Sequence, residues 1–166
     1  MEKISIKEVL RKELTETKVL YHELLSSVPI ESYSMPTSNP AWNVAEILFH
    51  ICLAPRYIAS DVVFIRRFSW IPKPPAFLFH ALNEWMTKKG AIGVTPQYLA
   101  EKYDEAHERM MKSLNTISEE VWGKGADYPG WDPLLSGYVT LERLFHYPAE
   151  HFRTHAQELK FVAALR

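Results

Sequence analysis

Apolar residues recur at intervals of three and four along most of the chain, which is the spacing of one face of an α-helix. Ser5 and Glu8 form a capping box, in which each side chain satisfies an unpaired backbone N–H group of the first helical turn. They predict a first helix over about residues 6–28, which ends before Pro29. Its stripe consists of Ile6, Leu10, Leu14, Thr17, Tyr21, Leu24 and Val28.

The second helix begins with a similar capping signal. Asn43 takes the N-cap position and Glu46 lies three residues later, so we expect a helix that reaches about Phe68. Pro55 lies inside this span and is expected to kink the helix, because its ring lacks an N–H group and clashes with the preceding turn.

Helical patterns also cover the centre of the chain. A short helix is predicted over about residues 76–89 and ends at Gly90. Thr95 as N-cap and Pro96 at the first helical position start another helix, whose apolar stripe reaches Ile117.

The C-terminal part is predicted to contain a long loop and a long helix. The loop spans residues 123–137 and includes Trp131, and loops of this length in compact domains are often functional. The last helix is predicted over about residues 140–165, with Pro148 as a second internal kink. No segment shows the alternation of a β-strand. Four main helices and one short additional helix predict an all-α four-helix bundle, a single domain over residues 1–166.

Composition and charge narrow the possible functions. Hydrophobic residues make up 47% of the chain and the net charge is -1, which argues against nucleic acid or an anionic membrane as a partner. The most apolar stretch, residues 47–65, is interrupted by His50, Arg56 and Asp61, and the N-terminus has no apolar secretory signal. Cys52 is the only cysteine, so no disulfide can form within the chain. These features predict a cytoplasmic protein.

Two histidines of the last helix are the first candidates for chemistry. His151 and His155 are four residues apart, so they share one helix face and can bind one metal ion together. His155 falls within the apolar stripe and His151 lies at its edge, so both need polar partners inside the protein. The zincin motif is excluded, because Phe152 rather than a glutamate follows the first histidine. Histidines that simply pack in the core remain the alternative.

His50 is the candidate for a third ligand, because it lies beside the apolar stripe of the second helix. Three histidines from two helices would leave a fourth position for water or substrate, which is typical of catalytic rather than structural zinc sites. A metal ion in such a site can acidify a bound water molecule or activate a thiolate.

Two segments resemble the DinB/YfiT-like superfamily of metal-dependent enzymes. Residues 39–51 (NPAWNVAEILFHI) are similar to its tryptophan, polar N-cap, acidic residue and histidine at the start of the second helix. Residues 146–159 (HYPAEHFRTHAQEL) are similar to its last helix, where two ligands four residues apart are followed by a glutamine. The Arg-Gly-Gln usual after the last histidine is here Ala156 and Gln157, without the glycine.

The resemblance implies a four-helix bundle and a homodimer, with zinc or nickel bound by His50, His151 and His155, and iron or manganese as alternative metals. Characterised members include S-transferases for low-molecular-weight thiols and a maleylpyruvate isomerase. The implied function is therefore a metal-dependent enzyme that activates a low-molecular-weight thiol as its small-molecule substrate. A metal-dependent hydrolase and a non-catalytic bundle stapled by the metal ion remain alternatives.

Other residues near these motifs have competing interpretations. Glu46 lies one turn before His50 and is a candidate contact of that ring, although its capping role already explains it. Tyr57 is a candidate for the pocket wall or for simple packing, and Glu158 is expected at the solvent or at a dimer contact. Basic residues around the end of the second helix are expected to form a solvated face or to attract an anionic substrate. They are Arg56, Arg66, Arg67, Lys73, Lys88 and Lys89.

Overall fold

The computed structural model describes residues 5–163, and the helical prediction is confirmed over most of them. Four long helices pack side by side as a bundle, in which α1 and α2 each contact both α4 and α5. The elements are α1 (Ile6–Ser27), α2 (Val44–Phe68), α3 (Ala76–Gly90), α4 (Pro96–Asn115), β1 (Gly125–Asp132), β2 (Leu135–Thr140), α5 (Leu141–Glu158) and α6 (Lys160–Ala163).

The predicted helix starts are confirmed by their hydrogen bonds. Ser5 and Glu8 exchange both bonds of the capping box at 3.2 Å. Asn43 accepts from the Glu46 backbone N–H at 2.9 Å and donates its own backbone N–H to the Glu46 carboxylate at 2.8 Å. These caps satisfy orphan donors of each first turn, so α2 starts at one defined residue. That start fixes where His50, seven positions after Asn43, lies along the bundle.

The predicted end of the last helix was wrong. The helix predicted to run to residue 165 ends at Glu158 in the structure, and α6 follows as a separate short helix. Residues 164–166 lie outside the described part of the chain. α2 and α5 continue as helices through Pro55 and Pro148, respectively.

The prediction of a loop over residues 123–137 and of no strand was also wrong. β1 and β2 form an antiparallel hairpin in which Gly125 pairs with Thr140 and Tyr128 pairs with Gly137. The register shifts between Pro129 and Asp132. The hairpin forms because alternate side chains, including Ala126, Tyr128 and Val139, pack into the core.

The buried apolar residues divide into two clusters along the bundle axis. One cluster includes Leu10, Ile58, Met110 and Leu144, together with the hairpin. The other includes Tyr21, Ile47, Leu99 and Phe152. Every long helix contributes to both clusters, so each of them crosses the boundary between the two.

α3 lies on the outside of this core and buries only Thr87. Among the described helices, α2 alone has the length and apolar character of a membrane span, and 56% of its most apolar window is buried inside the protein. That burial is typical of the central helix of a bundle.

Candidate metal centre

α2 and α5 bring together the three histidines that the sequence singled out. One ring nitrogen of each of His50, His151 and His155 lies within 4.8 Å of the others, and all three side chains are buried. Nε2 of His50 lies 3.0 Å from Nε2 of His151. The four-residue spacing on α5 places two of the rings on one face, with centroids 4.5 Å apart.

Hydrogen bonds on the far side of two rings fix their orientation. Nδ1 of His50 is hydrogen-bonded to Thr87 Oγ1 at 3.2 Å. Nδ1–H of His155 donates to Glu158 Oε2 at 2.9 Å, because an ionised carboxylate can only accept. In a neutral His155 ring, this bond leaves Nε2 without a hydrogen and with a free lone pair. Metal-ligating histidines usually have such a partner on the other ring nitrogen.

Burial keeps two of the rings uncharged. It lowers the pKa of His50 to about 3, with a smaller contribution from the nearby His155. It also lowers the pKa of His151 well below its usual value, and the proximity of His50 and His155 acts in the same direction. Both rings are therefore neutral near pH 7, which is the protonation state that binds a metal ion.

The donor set fits a divalent ion that prefers nitrogen ligands. Two nitrogens bound to one tetrahedral zinc ion lie about 3.3 Å apart, given zinc–nitrogen bonds of about 2.0–2.1 Å. The 3.0 Å separation between His50 and His151 is already close to that value. Nδ1 of His151 is buried and has no hydrogen-bond partner among the described residues. Three imidazole nitrogen donors are a ligand set that could hold a divalent metal ion.

Aromatic rings enclose the histidines. The Trp42 ring lies against His50 with centroids 4.2 Å apart, and it lies 5.8 Å from His155. The Tyr147 ring lies 5.1 Å from His151. These rings help to bury the three histidines, and in a low local dielectric a charge held at the centre interacts more strongly with its neighbours.

A small cavity of about 40 Å³ adjoins His50 and His151. This volume holds roughly three water molecules. Apart from the two histidines, its walls are Leu53, Ala54, Tyr57, Phe79, Asn83, Trp131, Asp132 and Tyr147. Two larger grooves, of about 610 and 1050 Å³, lie along α1 and contain none of the three histidines. The small cavity is therefore the space in which chemistry beside the histidines would take place.

The structure separates the competing interpretations of the neighbouring residues. Glu46 binds the N-cap backbone of α2, as its capping role predicted. Tyr57 lines the cavity, and its hydroxyl donates to Met86 Sδ at 3.5 Å. Glu158 does not project freely into solvent, because its carboxylate accepts from His155 and its side chain is 22% exposed, whereas the alternative of a dimer contact stays a prediction. The solvated position expected of Lys73 was also wrong, because its side chain is 3% exposed and pairs with Asp61 at 3.2 Å.

Thr87, Asp132 and Tyr147 are residues of the site that the sequence interpretation missed. Thr87 lies on α3, 37 positions from the ring it contacts, and no local motif marks it. Asp132 lies in the segment predicted to be a loop. Tyr147 lies one turn before His151 on α5, and this spacing was the one signal that pointed to it.

Solved structures of a mycothiol-dependent maleylpyruvate isomerase share this arrangement of helices. One has a TM-score of 0.68 at 13% sequence identity, and a variant with one histidine replaced by alanine has a TM-score of 0.69 at 12% identity. The chain has the fold of this isomerase. The match covers 94% of the chain but only 63% of the isomerase, so the isomerase extends well beyond the shared region.

The likeness to the isomerase is one of structure alone at these identities. No family model matches the sequence, and no curated protein matches it. A maleylpyruvate isomerase is nevertheless among the enzymes to which the DinB/YfiT-like resemblance pointed. At 12–13% identity the likeness establishes the fold alone, and membership of the superfamily stays a prediction.

Proposed function

We propose that the chain is a divalent-metal-dependent enzyme that acts on a low-molecular-weight thiol, with His50, His151 and His155 as the metal ligands. The observation that carries the proposal is the convergence of three buried histidine nitrogens within 4.8 Å of one another. Zinc or nickel is the proposed metal because the donors are three imidazole nitrogens.

The side chains around the centre have separable roles in this proposal. Thr87 and Glu158 orient two of the rings, and Trp42 and Tyr147 pack against the histidines and help to bury them. A bound divalent ion supplies positive charge, which favours a thiolate over a thiol at neutral pH. Three protein ligands leave room for an exogenous one, which is the pattern of catalytic zinc sites. The thiol itself is proposed from the mycothiol dependence of the isomerase with the same fold.

Metal content tests the ligand set. Wild type, His155→Gln and His22→Gln would be purified without added metal, dialysed and analysed for metals. His22 is a matched control, because its ring also binds a carboxylate, that of Asp104, but does not belong to the cluster of three histidines. We expect about one ion per chain in wild type and His22→Gln, and an affinity at least about 100-fold weaker in His155→Gln. Equal metal content in all three proteins would contradict the proposed ligands.

A thiol-transfer assay tests the activity. Zinc-loaded and metal-free protein would be incubated with glutathione or mycothiol and 1-chloro-2,4-dinitrobenzene. In this reaction a sulfur–carbon bond forms, chloride leaves and the thiol proton passes to the buffer. We expect a rate that depends on zinc and is lost in His155→Gln. A chain that binds zinc, unfolds when zinc is removed and shows no transfer with either thiol would instead be a bundle stapled by its metal.

A further inference from the structure

The cavity beside the histidines is covered on its outer side by α3 and by the tip of the hairpin, residues 130–134. α2 and α5 form its inner walls, and both helices belong to the core. The outer walls are Phe79 and Asn83 of α3 and Trp131 and Asp132 of the hairpin tip. A volume of about 40 Å³ is too small for a low-molecular-weight thiol together with the group that it attacks. A substrate that enters this cavity therefore requires an outer wall to move.

The hairpin tip is the outer wall whose backbone is least constrained. The ladder is interrupted between Pro129 and Asp132, and Gly130 and Trp131 lie within this register shift. Gly130 has a φ of 73°, in the left-handed region that glycine adopts without strain. The tip can therefore change its backbone angles while the regular part of the ladder stays paired.

Three contacts hold Trp131 against the start of α3. Its ring stacks on Phe79 with centroids 4.3 Å apart and planes 2° apart. Its indole N–H donates to the Pro74 carbonyl at 2.8 Å, and its own carbonyl accepts from His80 Nε2 at 2.7 Å. Both hydrogen bonds lie at the protein surface, where water can take the place of either partner at small cost. These contacts close the cavity reversibly.

The structure on both sides of these contacts is anchored, which leaves the tip as the part that moves. The Lys73 ammonium, before α3, pairs with Asp61 at 3.2 Å, and its side chain is 3% exposed. It lies 4.2 Å from the centre of the Tyr128 ring but 4.9 Å from that of Trp131, so its closer partners remain when Trp131 leaves. Further along α3, Thr87 is completely buried against the metal centre.

We infer that Trp131 and the hairpin tip form a gate over the three histidines. With the gate closed, the Trp131 ring lies against Phe79; with the gate open, it leaves α3 and a substrate reaches the histidines between the tip and α3. Asp132 moves with the tip, because its contact with the Tyr147 hydroxyl is long, at 3.4 Å. The use of the gate by a substrate rests on the proposed function, whereas its opening is a property of the fold.

A thiol placed inside the cavity would report the opening. Asn83→Cys puts one in the wall beside the gate. Metal-free protein would be treated with methyl methanethiosulfonate, which transfers its methylthio group to a thiolate and releases methanesulfinate, and mass spectrometry would follow the rate. Cys52, which is 4% exposed, gives the background rate in wild type and reports any loss of the fold.

Two further substitutions in this protein distinguish a moving gate from a fixed wall. His80→Phe removes the hydrogen bond to the Trp131 carbonyl, but His80 is exposed and does not line the cavity. Trp131→Ala removes the wall itself. Tyr138→Ala is the matched control, because this ring lies on the same hairpin, is 56% exposed and does not line the cavity.

We expect the thiol at position 83 to react at least about tenfold more slowly in the folded chain than in the urea-unfolded chain. The rate in the folded chain should rise about fivefold with His80→Phe and at least about tenfold with Trp131→Ala. Tyr138→Ala should change it by less than about twofold. Equal rates in the folded and unfolded chains would show that the cavity is open, and a rate unchanged by His80→Phe would show a fixed wall. Either result would overturn the inference.

The use of metal-free protein separates this inference from the proposed function. A chain that takes up no zinc would contradict the proposed function, whereas the rates at position 83 would still decide whether the hairpin tip opens.

Discussion

Thr87 is the one residue of α3 that is completely buried, and it is the residue that reaches the candidate metal centre. Its hydroxyl is hydrogen-bonded to Nδ1 of His50. Removing a partner of this kind lowers metal affinity by about 10–100-fold in other metal sites. The burial of Thr87 in an otherwise exposed helix is thus explained by its hydrogen bond to the His50 ring, which it orients.

We therefore expect Thr87→Val to weaken zinc binding by about tenfold, because valine keeps the shape of threonine but loses the hydroxyl. Competition with a chromophoric chelator would measure the dissociation constants. Thr87→Ser, which keeps the hydroxyl, should stay within about threefold of wild type. If valine and serine weakened binding equally, packing rather than the hydrogen bond would be responsible.

His107 gives a prediction of pH dependence outside the metal centre. Burial, and to a lesser degree Lys18, lowers the pKa of His107 below its usual value. The unfolded chain therefore binds a proton at His107 more readily than the folded chain does. Its contribution to stability is present above the unfolded pKa of about 6.5 and is lost as the pH falls below that value. Urea unfolding of metal-free wild type and His107→Gln at pH 8 and pH 5 should show a smaller loss of stability in the variant. An equal loss in both proteins would contradict this prediction.

His151 and His155 could be proposed as candidate ligands from the sequence because their spacing on α5 is local. Thr87, which contacts His50, and Asp132, which lines the cavity, could not be proposed, because they lie on separate elements whose packing no local pattern encodes. The contact between Glu158 and His155 could have been predicted, since Glu158 follows His155 by three residues on the same helix. Its charge favoured a solvent position instead, which is the usual place for a glutamate.

At the scale of elements, the hairpin is the part of the fold that the pattern of apolar residues did not reveal. β1 reads Gly-Ala-Asp-Tyr-Pro-Gly-Trp-Asp, which contains no β-branched residue and contains a proline. Glycine, aspartate and proline are depleted in strands. Tertiary packing of Ala126 and Tyr128 against the core outweighs this weak local preference. By contrast, α1, α2 and α4 were predictable because capping residues and apolar spacing agree along each of them.

A substitution at Gly125 would test the close packing at the start of the hairpin. A Cβ atom at this position would lie 2.2 Å from the Val139 carbonyl oxygen, a backbone atom that cannot move without disturbing the ladder. We expect Gly125→Ala to lower the free energy of unfolding by about 2–3 kcal/mol, as overpacking commonly does. Gly123→Ala is the control, because a Cβ atom there would meet nothing within 4 Å and the backbone does not have a positive φ. Chemical denaturation should show that the free energy of unfolding of Gly123→Ala is within about 0.5 kcal/mol of wild type. Equal stability of Gly125→Ala and Gly123→Ala would contradict the predicted clash.

At the scale of the whole molecule, α3 and the segment before it expose an unusual number of large apolar side chains. They are Phe68, Trp70, Ile71, Phe77, Leu78, Leu82 and Trp85. Leu78, Leu82 and Trp85 are spaced to lie on one face of α3. Contiguous apolar surface of this kind marks interaction sites more often than solvent-facing surface.

The homodimer implied by the sequence resemblance stays a prediction, and this face is where it can be tested. We expect sedimentation equilibrium to show a dimer in wild type and a monomer when Leu82 and Trp85 are both replaced by glutamate, because buried charges oppose association. The matching pair on α1, Val19→Glu with Leu20→Glu, removes comparably exposed apolar side chains and should leave the dimer intact. A monomeric wild type, or dissociation by both pairs alike, would contradict an interface on α3.

The division of the core into two apolar clusters has a consequence for how the sequence can change. Thr17 and His107 are buried polar residues like the three histidines, and along their own helices these two lie between residues of different clusters. Buried polar residues therefore separate the two apolar halves of the core along α1 and α4. Either half can exchange one set of apolar residues for another of equal volume without disturbing the opposite half. Such independent repacking would let the bundle keep its shape at the 12–13% sequence identity that it has with its structural neighbours.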